Sequence, residues 1–463
     1  MLGGFEEEPA PPEPGAAAAE PAPEERWLEL AGSVETSLSV NYLDHRSPSG
    51  TDYGGLQRFR NRLNLELDLS LPREWQARLS GFGFYDAAYA LNGRKDYTHN
   101  VRNEYEWDAE VLETWIRGPV LSGLDLKLGR QIVIWGRSDT IRVLDVLNPL
   151  DNREPGRVDL EDLRRPVGMA RLDGYRGDWT FTALAIPEIR FDQGPVAGSD
   201  FDFAPDLSAG GLTLPGVSTR IELQESVPDD FESWEFAGAA TGTFRGWDVS
   251  LHGAWFWNDQ PHLVNSGLAS DRIALGPLAA GLRRDHARLW LVGAGGNYAF
   301  GSWLVKGEAA FLEGIRFCDL RIDLAAASAA CRGAEKARID GLLGVEYYGL
   351  RDTTLALEVA GRRLLGFEPE LRGPGDLARR TSEEIALRAT RSFWNETLQV
   401  TLLAVILGWH EQDGSIVRLS ADYDLRDALV LGGGILLYQE GGAAPLSAWG
   451  RNDRLFFSLK WSF

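Results

Sequence analysis

The sequence predicts an all-β fold: a transmembrane antiparallel β-barrel of about 18 strands, with about 16 as the other count the pattern allows. Three observations point there. The chain alternates apolar and polar residues with period two almost from end to end. Its reversals are sorted into short turns and long loops. Its last strand ends on aromatics at the final carboxylate, in Phe457, Leu459, Trp461 and Phe463, with Ser458, Lys460 and Ser462 on the other parity. Strict alternation over about 9–11 residues is what a strand needs when one face meets lipid and the other a polar lumen. An amphipathic edge strand of a soluble sheet would show the same alternation, so the rest of the chain decides.

Composition narrows the class. Among 463 residues there are 52 Gly and 16 Trp, against only 2 Met and 2 Cys, a balance that suits barrels with aromatic girdles. The longest apolar run, Val400 to Leu407, is far short of the roughly 18 residues a membrane helix needs. Met1 is followed by Leu-Gly-Gly-Phe and then acids, so an exported chain of this sequence would be a mature form. The net charge of −21 argues against nucleic acid as a partner. Residues 1–25 hold seven of the acids, no Lys or Arg, and mostly Pro, Ala and Glu beyond Glu8. Such a segment cannot bury enough apolar surface to fold and reads as a solvated periplasmic tail, with 26–463 as the barrel.

From Trp27 the strands follow in order. Leu28, Leu30, Val34, Leu38, Val40 and Tyr42 oppose Glu29, Ser33, Glu35, Ser37, Ser39 and Asn41. Then Leu63, Leu65, Leu67 and Leu69 oppose Arg60, Arg62, Asn64, Glu66 and Asp68. Continued along the chain, the period predicts strands near 27–42, 56–71, 75–89, 104–117, 124–135, 167–176, 179–187, 232–244 and 247–257. It predicts nine more near 287–300, 303–313, 338–348, 353–362, 381–393, 397–407, 415–423, 428–438 and 455–463. A soluble sandwich could use such strands, but it has no reason to sort its connections. Here the short turns place a Trp at or just after the reversal, as at Trp75, Trp179, Trp247, Trp303 and Trp394. The other reversals are long, save the one at Trp409–Gly414. Short periplasmic turns, long extracellular loops and an aromatic ring at one end place the chain in the outer membrane of a Gram-negative envelope, with lipid around it.

The segment Leu128-Gly129-Arg130-Gln131, then Trp135-Gly136 and Asp139, followed by Asn148-Pro149-Leu150-Asp151, is the most specific motif. It resembles bacterial outer-membrane barrels catalogued as a family of unknown function, which are similar to the alginate-export porins with eighteen strands around a charged pore. The resemblance implies passage or export of organic molecules, without naming the cargo. The aromatic end likewise resembles the terminal strand by which the barrel-assembly machinery recognises such proteins, with Trp461 and Phe463 as the signal.

Independently of that likeness, residues 137–165 form a loop with seven acids and six bases, a near balance that lets it pair internally on leaving bulk water. Its charges Arg137, Asp139, Arg142, Asp145, Asp151, Arg153 and Glu154, with Arg130 at its entrance, are the expected constriction, and Val158–Arg165 reads as a short helix. A solvated surface loop is the plainer alternative. On the polar parities of the wall stand Arg60, Arg62, Arg78, Lys306, Glu308, Glu346, Glu358 and Arg388, with Lys127, Arg288, Arg362, Arg418 and Glu384 beside them. They suit a screened polar channel or cross-strand ion pairs equally. The mixture is unlike an anion-export wall and weakens any reading of a polyuronate cargo.

Cys318 and Cys331 in one exported loop are expected to form a disulfide. No catalytic constellation, metal spacing or cofactor motif is found. Only His252 among six histidines falls on a strand with inward parity, and no Gly-x-Ser-x-Gly occurs. The expected function is an outer-membrane channel or export barrel for a small organic or amphipathic solute, with no enzymatic activity. The alternative is a sheath or adaptor barrel that works only with a periplasmic partner, and an outer-membrane hydrolase ranks third.

Overall fold

A computed structural model describes residues 27–463 except 44, 48–49, 203–212, 215–216, 223–226, 229, 266–278, 324–327, 373–377 and 443. The expected tail at 1–25 lies outside the described residues.

The chain begins with β1 (Leu28–Asn41), β2 (Gly55–Leu71), β3 (Trp75–Asp86), β4 (Trp107–Leu121), β5 (Leu124–Gln131), β6 (Val167–Arg176) and β7 (Trp179–Ile186). Next come β8 (Thr213–Leu214), β9 (Val217–Glu222), β10 (Glu235–Phe244), β11 (Trp247–Trp257), β12 (His262–Asn265), β13 (Ala279–Asp285) and β14 (Arg288–Phe300). It ends with β15 (Trp303–Asp323), β16 (Ser328–Leu350), β17 (Thr353–Leu364), β18 (Thr381–Phe393), β19 (Leu398–Leu407), β20 (Ser415–Arg426), β21 (Leu429–Gln439) and β22 (Arg454–Ser462).

Eighteen of these strands form one antiparallel sheet, while β8, β9, β12 and β13 make a separate four-stranded sheet from the two long loops that flank β10 and β11. The large sheet closes on itself where β1 meets β22, in register from Ser33 opposite Ser462 to Asn41 opposite Arg454. Closure removes every free edge, which a sheet in hydrocarbon requires because lipid cannot satisfy backbone polar groups. The last residue completes the seam: Gly32 N–H donates to the Phe463 carbonyl at 2.9 Å and Phe463 N–H to the Gly32 carbonyl at 3.0 Å.

The outward parity stays exposed and apolar, as in Leu30, Val34, Leu63, Leu65, Leu343, Leu402, Leu419, Phe457 and Trp461. Left-handed residues make the tight turns, with Gly177, Gly246 and Gly301 each one or two residues before a Trp. Two departures from the expected strands have physical causes. The hairpin β15–β16 was expected to stop near 313 and 338, yet it pairs on as far as Asp323 opposite Ser328. Gly314, at φ +99°, bulges the strand and shifts its register, and that breaks the period two read from sequence. Cys318 and Cys331 therefore lie on paired strands rather than in a loop, and they form a disulfide across them. The second departure is the 86–107 connection, which folds as α1 (Ala88–Leu91) and α2 (His99–Tyr105) around buried Tyr53, Tyr89, Tyr97, Val101 and Tyr105.

Candidate functional site

Residues 132–166 leave the wall after β5 and return to it at β6, and one side chain ties the two ends together. Asn148 donates to the carbonyls of Gln131 at 3.2 Å and Arg165 at 2.9 Å, while its Oδ1 accepts from Val133 N–H at 2.8 Å. Pro149 adds its carbonyl to Arg165 N–H at 2.7 Å. The Asn-Pro pair thus clamps the neck of the loop, and what lies beyond it divides into two lobes.

The first lobe, up to residue 147, is apolar inside. Val133, Trp135, Ile141, Val143, Leu144 and Leu147 are buried against Leu184, Ile186, Phe256, Leu289, Leu291, Leu312 and Leu342, all on the inward face of the wall. Burying one such aliphatic side chain stabilises by about 1.5–3 kcal/mol. Leu144 is wholly buried because β14 offers it glycines: a Cβ on Gly293 would stand 2.3 Å from Leu144 Cδ2. Trp135 packs on His252 with ring centres 4.6 Å apart, and His252 Nε2 lies 2.8 Å from Ser250 Oγ. Polar contacts then anchor the tip. Glu308 accepts backbone N–H groups from Arg137 at 2.5 Å, Ser138 at 3.1 Å and Leu144 at 3.0 Å. Lys306 reaches Glu358 at 2.6 Å, Glu346 at 2.7 Å and Asp139 at 3.3 Å, and Ser138 Oγ donates to Glu358 at 2.5 Å. Arg137 pairs with Asp248 of β11 at 2.7 Å. Arg142 donates to the carbonyls of Asp145 and Asn148, and Asp145 pairs with Arg164 at 2.8 Å, joining the lobes.

The second lobe crosses toward the other half of the wall. Arg153 pairs with Asp151 at 2.6 Å and with Asp108 of β4 at 3.3 Å. Glu154 pairs with Arg58 and, at 3.2 Å, with Arg60 of β2. Tyr438 of β21 donates to the Pro155 carbonyl at 2.6 Å. Asp159 pairs with Arg388 of β18 at 2.6 Å and with Arg418 of β20. One turn of helix, α3 (Leu160–Leu163), follows within the stretch expected to be helical. Burial would raise the Glu154 carboxyl, but Arg58, Arg60 and Arg157 outweigh it and hold the group well below the usual carboxylate range. Asp159 is likewise lowered: burial opposes, and Arg418 and Arg388 prevail.

The structure thus places Arg137, Asp139, Arg142, Asp145, Asp151, Arg153 and Glu154 in the loop network, in contact with Lys306, Glu308, Glu346, Glu358, Arg388 and Arg60 of the wall or with one another. Arg62 stacks on Phe82, and Arg78 pairs with Asp68 at 2.8 Å, lower on the wall. Arg130 departs from the expectation. It shares the parity of outward Leu126 and Leu128, while Gln131 is the buried inward residue, and it pairs with Glu188 beside the wall. Arg288 is also on the outward parity, where it stacks 4.2 Å from both Trp255 and Trp257. Sequence reading missed Arg58, which the spacing with Arg60 and Arg62 could have given, and it missed the apolar inner wall entirely.

A closed antiparallel barrel, apolar outside, with one loop bonded to inward-facing residues of its wall, is the architecture of an outer-membrane β-barrel. The chain belongs to the family described as "Protein of unknown function (DUF1302)", which matches residues 31–427. No curated protein matches it. Among solved structures it is similar to Acinetobacter baumannii OccAB1, at 9% identity and TM-score 0.49 over 94% of this chain and 96% of that one. It is similar to OpdK of Pseudomonas aeruginosa, at 9% identity and TM-score 0.46 over 94% and 98%. An anion-selective porin from Comamonas acidovorans matches at 12% identity and TM-score 0.39 over 94% and 99%. These are likenesses of barrel form, and no cargo follows from them.

Proposed function

We propose that the protein is a channel for a small organic or amphipathic solute, whose charged lumen is narrowed by residues 137–165. The supporting observation is the reach of the loop: its groups bond inward-facing residues of β2, β4, β11, β15, β17, β18, β20 and β21. A surface loop would have no access to strands on opposite sides of the lumen. The charges suit the place, because Arg137, Asp139, Asp145, Arg153, Glu154 and Asp159 of the loop each have an opposite charge as partner. Residues 1–25 are read as an acidic tail on the periplasmic side. No polyuronate cargo is proposed, since both bases and acids line this wall.

The test is single-channel recording of the purified protein in planar bilayers, beside a variant with residues 140–162 replaced by a short Gly-Ser bridge. The variant is expected to conduct more while keeping heat-modifiable migration on gels. Equal conductance in a folded variant would put the loop outside the path. No conductance in either protein would favour the adaptor-barrel alternative.

A further inference from the structure

A second stretch of chain crosses the extracellular end of the barrel. Residues 187–202 leave the wall after Ile186 of β7 and end against β21 and β22, with β1 to β6 between the two places along the closed sheet. The near half lies on the 132–166 loop. Asp192 accepts the Leu150 N–H at 2.6 Å, Gln193 N–H donates to the Leu150 carbonyl at 2.8 Å, and the Gln193 carbonyl accepts from Asn152 N–H at 2.7 Å. Midway, Val196 packs on the tyrosine cluster, and the Tyr53 hydroxyl donates to the Gly198 carbonyl at 2.8 Å.

The far end is seated on the inner face of the wall. Phe201 is 1% exposed and packs with Leu436 and Tyr438, on the inward parity of β21, and with Trp449 of the β21–β22 connection. Its ring meets those of Tyr438 and Trp449 edge-on, each at 5.5 Å, and the Trp449 indole N–H donates to its carbonyl at 2.8 Å. Beside it Asp200 pairs with Arg454 at 3.0 Å, and the Asp200 carbonyl accepts from the Asn452 amide at 2.6 Å. Tyr438 joins the two layers, because its ring carries Phe201 while its hydroxyl donates to the Pro155 carbonyl of the second lobe. A loop confined to the rim would not place a phenylalanine on the lumen side of β21.

Taking the channel reading as its basis, we propose that residues 187–202 are a lid across the outer mouth, in series with the constriction, latched by Phe201 and Asp200 on β21 and β22. The latch is local: one ring in an aromatic seat, one ion pair and a few bonds to carbonyls. Its release needs neither the barrel nor the constriction loop to unfold, and the bonds to Leu150 and Asn152 hold the near half in place meanwhile.

Thiol accessibility reads the lid without needing current. Cys318 and Cys331 are joined, so an introduced cysteine supplies the free thiol. Ser199→Cys places it in the strap, where Ser199 is 2% exposed, and Lys95→Cys on the exposed β3–β4 connection is the reference. With a bulky membrane-impermeant maleimide added to intact cells, Ser199→Cys is expected to react roughly tenfold more slowly than Lys95→Cys, or slower still. Adding Arg454→Gln or Phe201→Ala is expected to speed it by about tenfold or more, through loss of one charge-assisted contact or of the buried ring. Should Arg454→Gln fail to assemble, Phe201→Ala, which lies off the barrel seam, still decides. Ser199→Cys reacting as fast as Lys95→Cys, or at a rate that the folded latch variants leave unchanged, would overturn the lid. Single-channel current separates this from the reading beneath it. A barrel that conducts while Ser199→Cys is unshielded refutes the lid alone, whereas one whose labelling accelerates as expected but which never conducts refutes the channel reading instead.

Discussion

Glu308 is the single wall residue on which the first lobe depends most. Its carboxylate is buried and accepts three backbone N–H groups, from Arg137 at 2.5 Å, Ser138 at 3.1 Å and Leu144 at 3.0 Å. A hydrogen bond to a charged group contributes roughly 1.5–3 kcal/mol, and a buried donor left alone loses its full hydration. Glu308→Ala orphans all three donors, but the cavity lets water reach some of them. A net loss of about 3 kcal/mol for the seated lobe is a fair reckoning, below the sum of the three parts. At tenfold per 1.4 kcal/mol, the ratio of displaced to seated lobe then rises about 150-fold. The lobe keeps its Lys306–Asp139 pair and its apolar contacts, so it stays seated most of the time. Single-channel records of the variant should show brief excursions to higher conductance at greatly raised frequency. Glu308→Gln, which retains one acceptor oxygen, should fall between. The barrel should keep its heat-modifiable migration. If folded Glu308→Ala gave the wild-type current and noise, the lobe would not be the gate of this pore.

The second lobe gives a pH test. The Asp159 carboxyl is lowered on folding, so its contribution is complete above the ordinary carboxylate value and is lost only as pH falls through the lower one. Channel noise should therefore be flat from about pH 7 to 5, with loosening confined to below about pH 4; loosening near neutrality would contradict the pairing. Asp159→Asn frees Arg388 and Arg418 of their shared carboxylate and should shift the reversal potential in a KCl gradient toward anion preference. Deleting Phe463 removes the residue whose two backbone bonds to Gly32 end the seam, and less protein should reach the outer membrane; unimpaired assembly would refute that role. Alkylation before reduction should label neither Cys318 nor Cys331, which the structure joins.

The barrel was legible because its energetics repeat. Every membrane strand solves one problem, an apolar side toward lipid and a polar side inward, so the solution recurs with period two in β1, β2, β18 and β22. It failed where that problem changes. In β14, Leu289, Trp290, Leu291 and Val292 are apolar on both faces, because lipid covers one side and the first lobe the other. With no polar side to mark the lumen, Arg288 was assigned the wrong face. At Gly314 one extra residue moved the inward role from Leu312 to Ile315, and the real strand beyond it looked like loop.

The loop's charges announced that it pairs, and their near balance was visible. Which wall residue each would meet was not, because those partners lie far away in sequence: Asp139 with Lys306, Asp159 with Arg418, Glu154 with Arg58. The apolar half was quieter still. Leu144 reads as an ordinary loop leucine, and Gly293 and Gly295 read as small residues of a lipid-embedded strand. Placed together they are one device, since a Cβ at Gly293 would strike Leu144 at 2.3 Å and one at Gly295 would crowd it at 3.0 Å. Gly293→Leu should accordingly unseat the lobe as surely as cutting the loop, although nothing in either segment alone says so. Their shapes make sense only against each other, so the seat of this loop is written half in the loop and half in the wall.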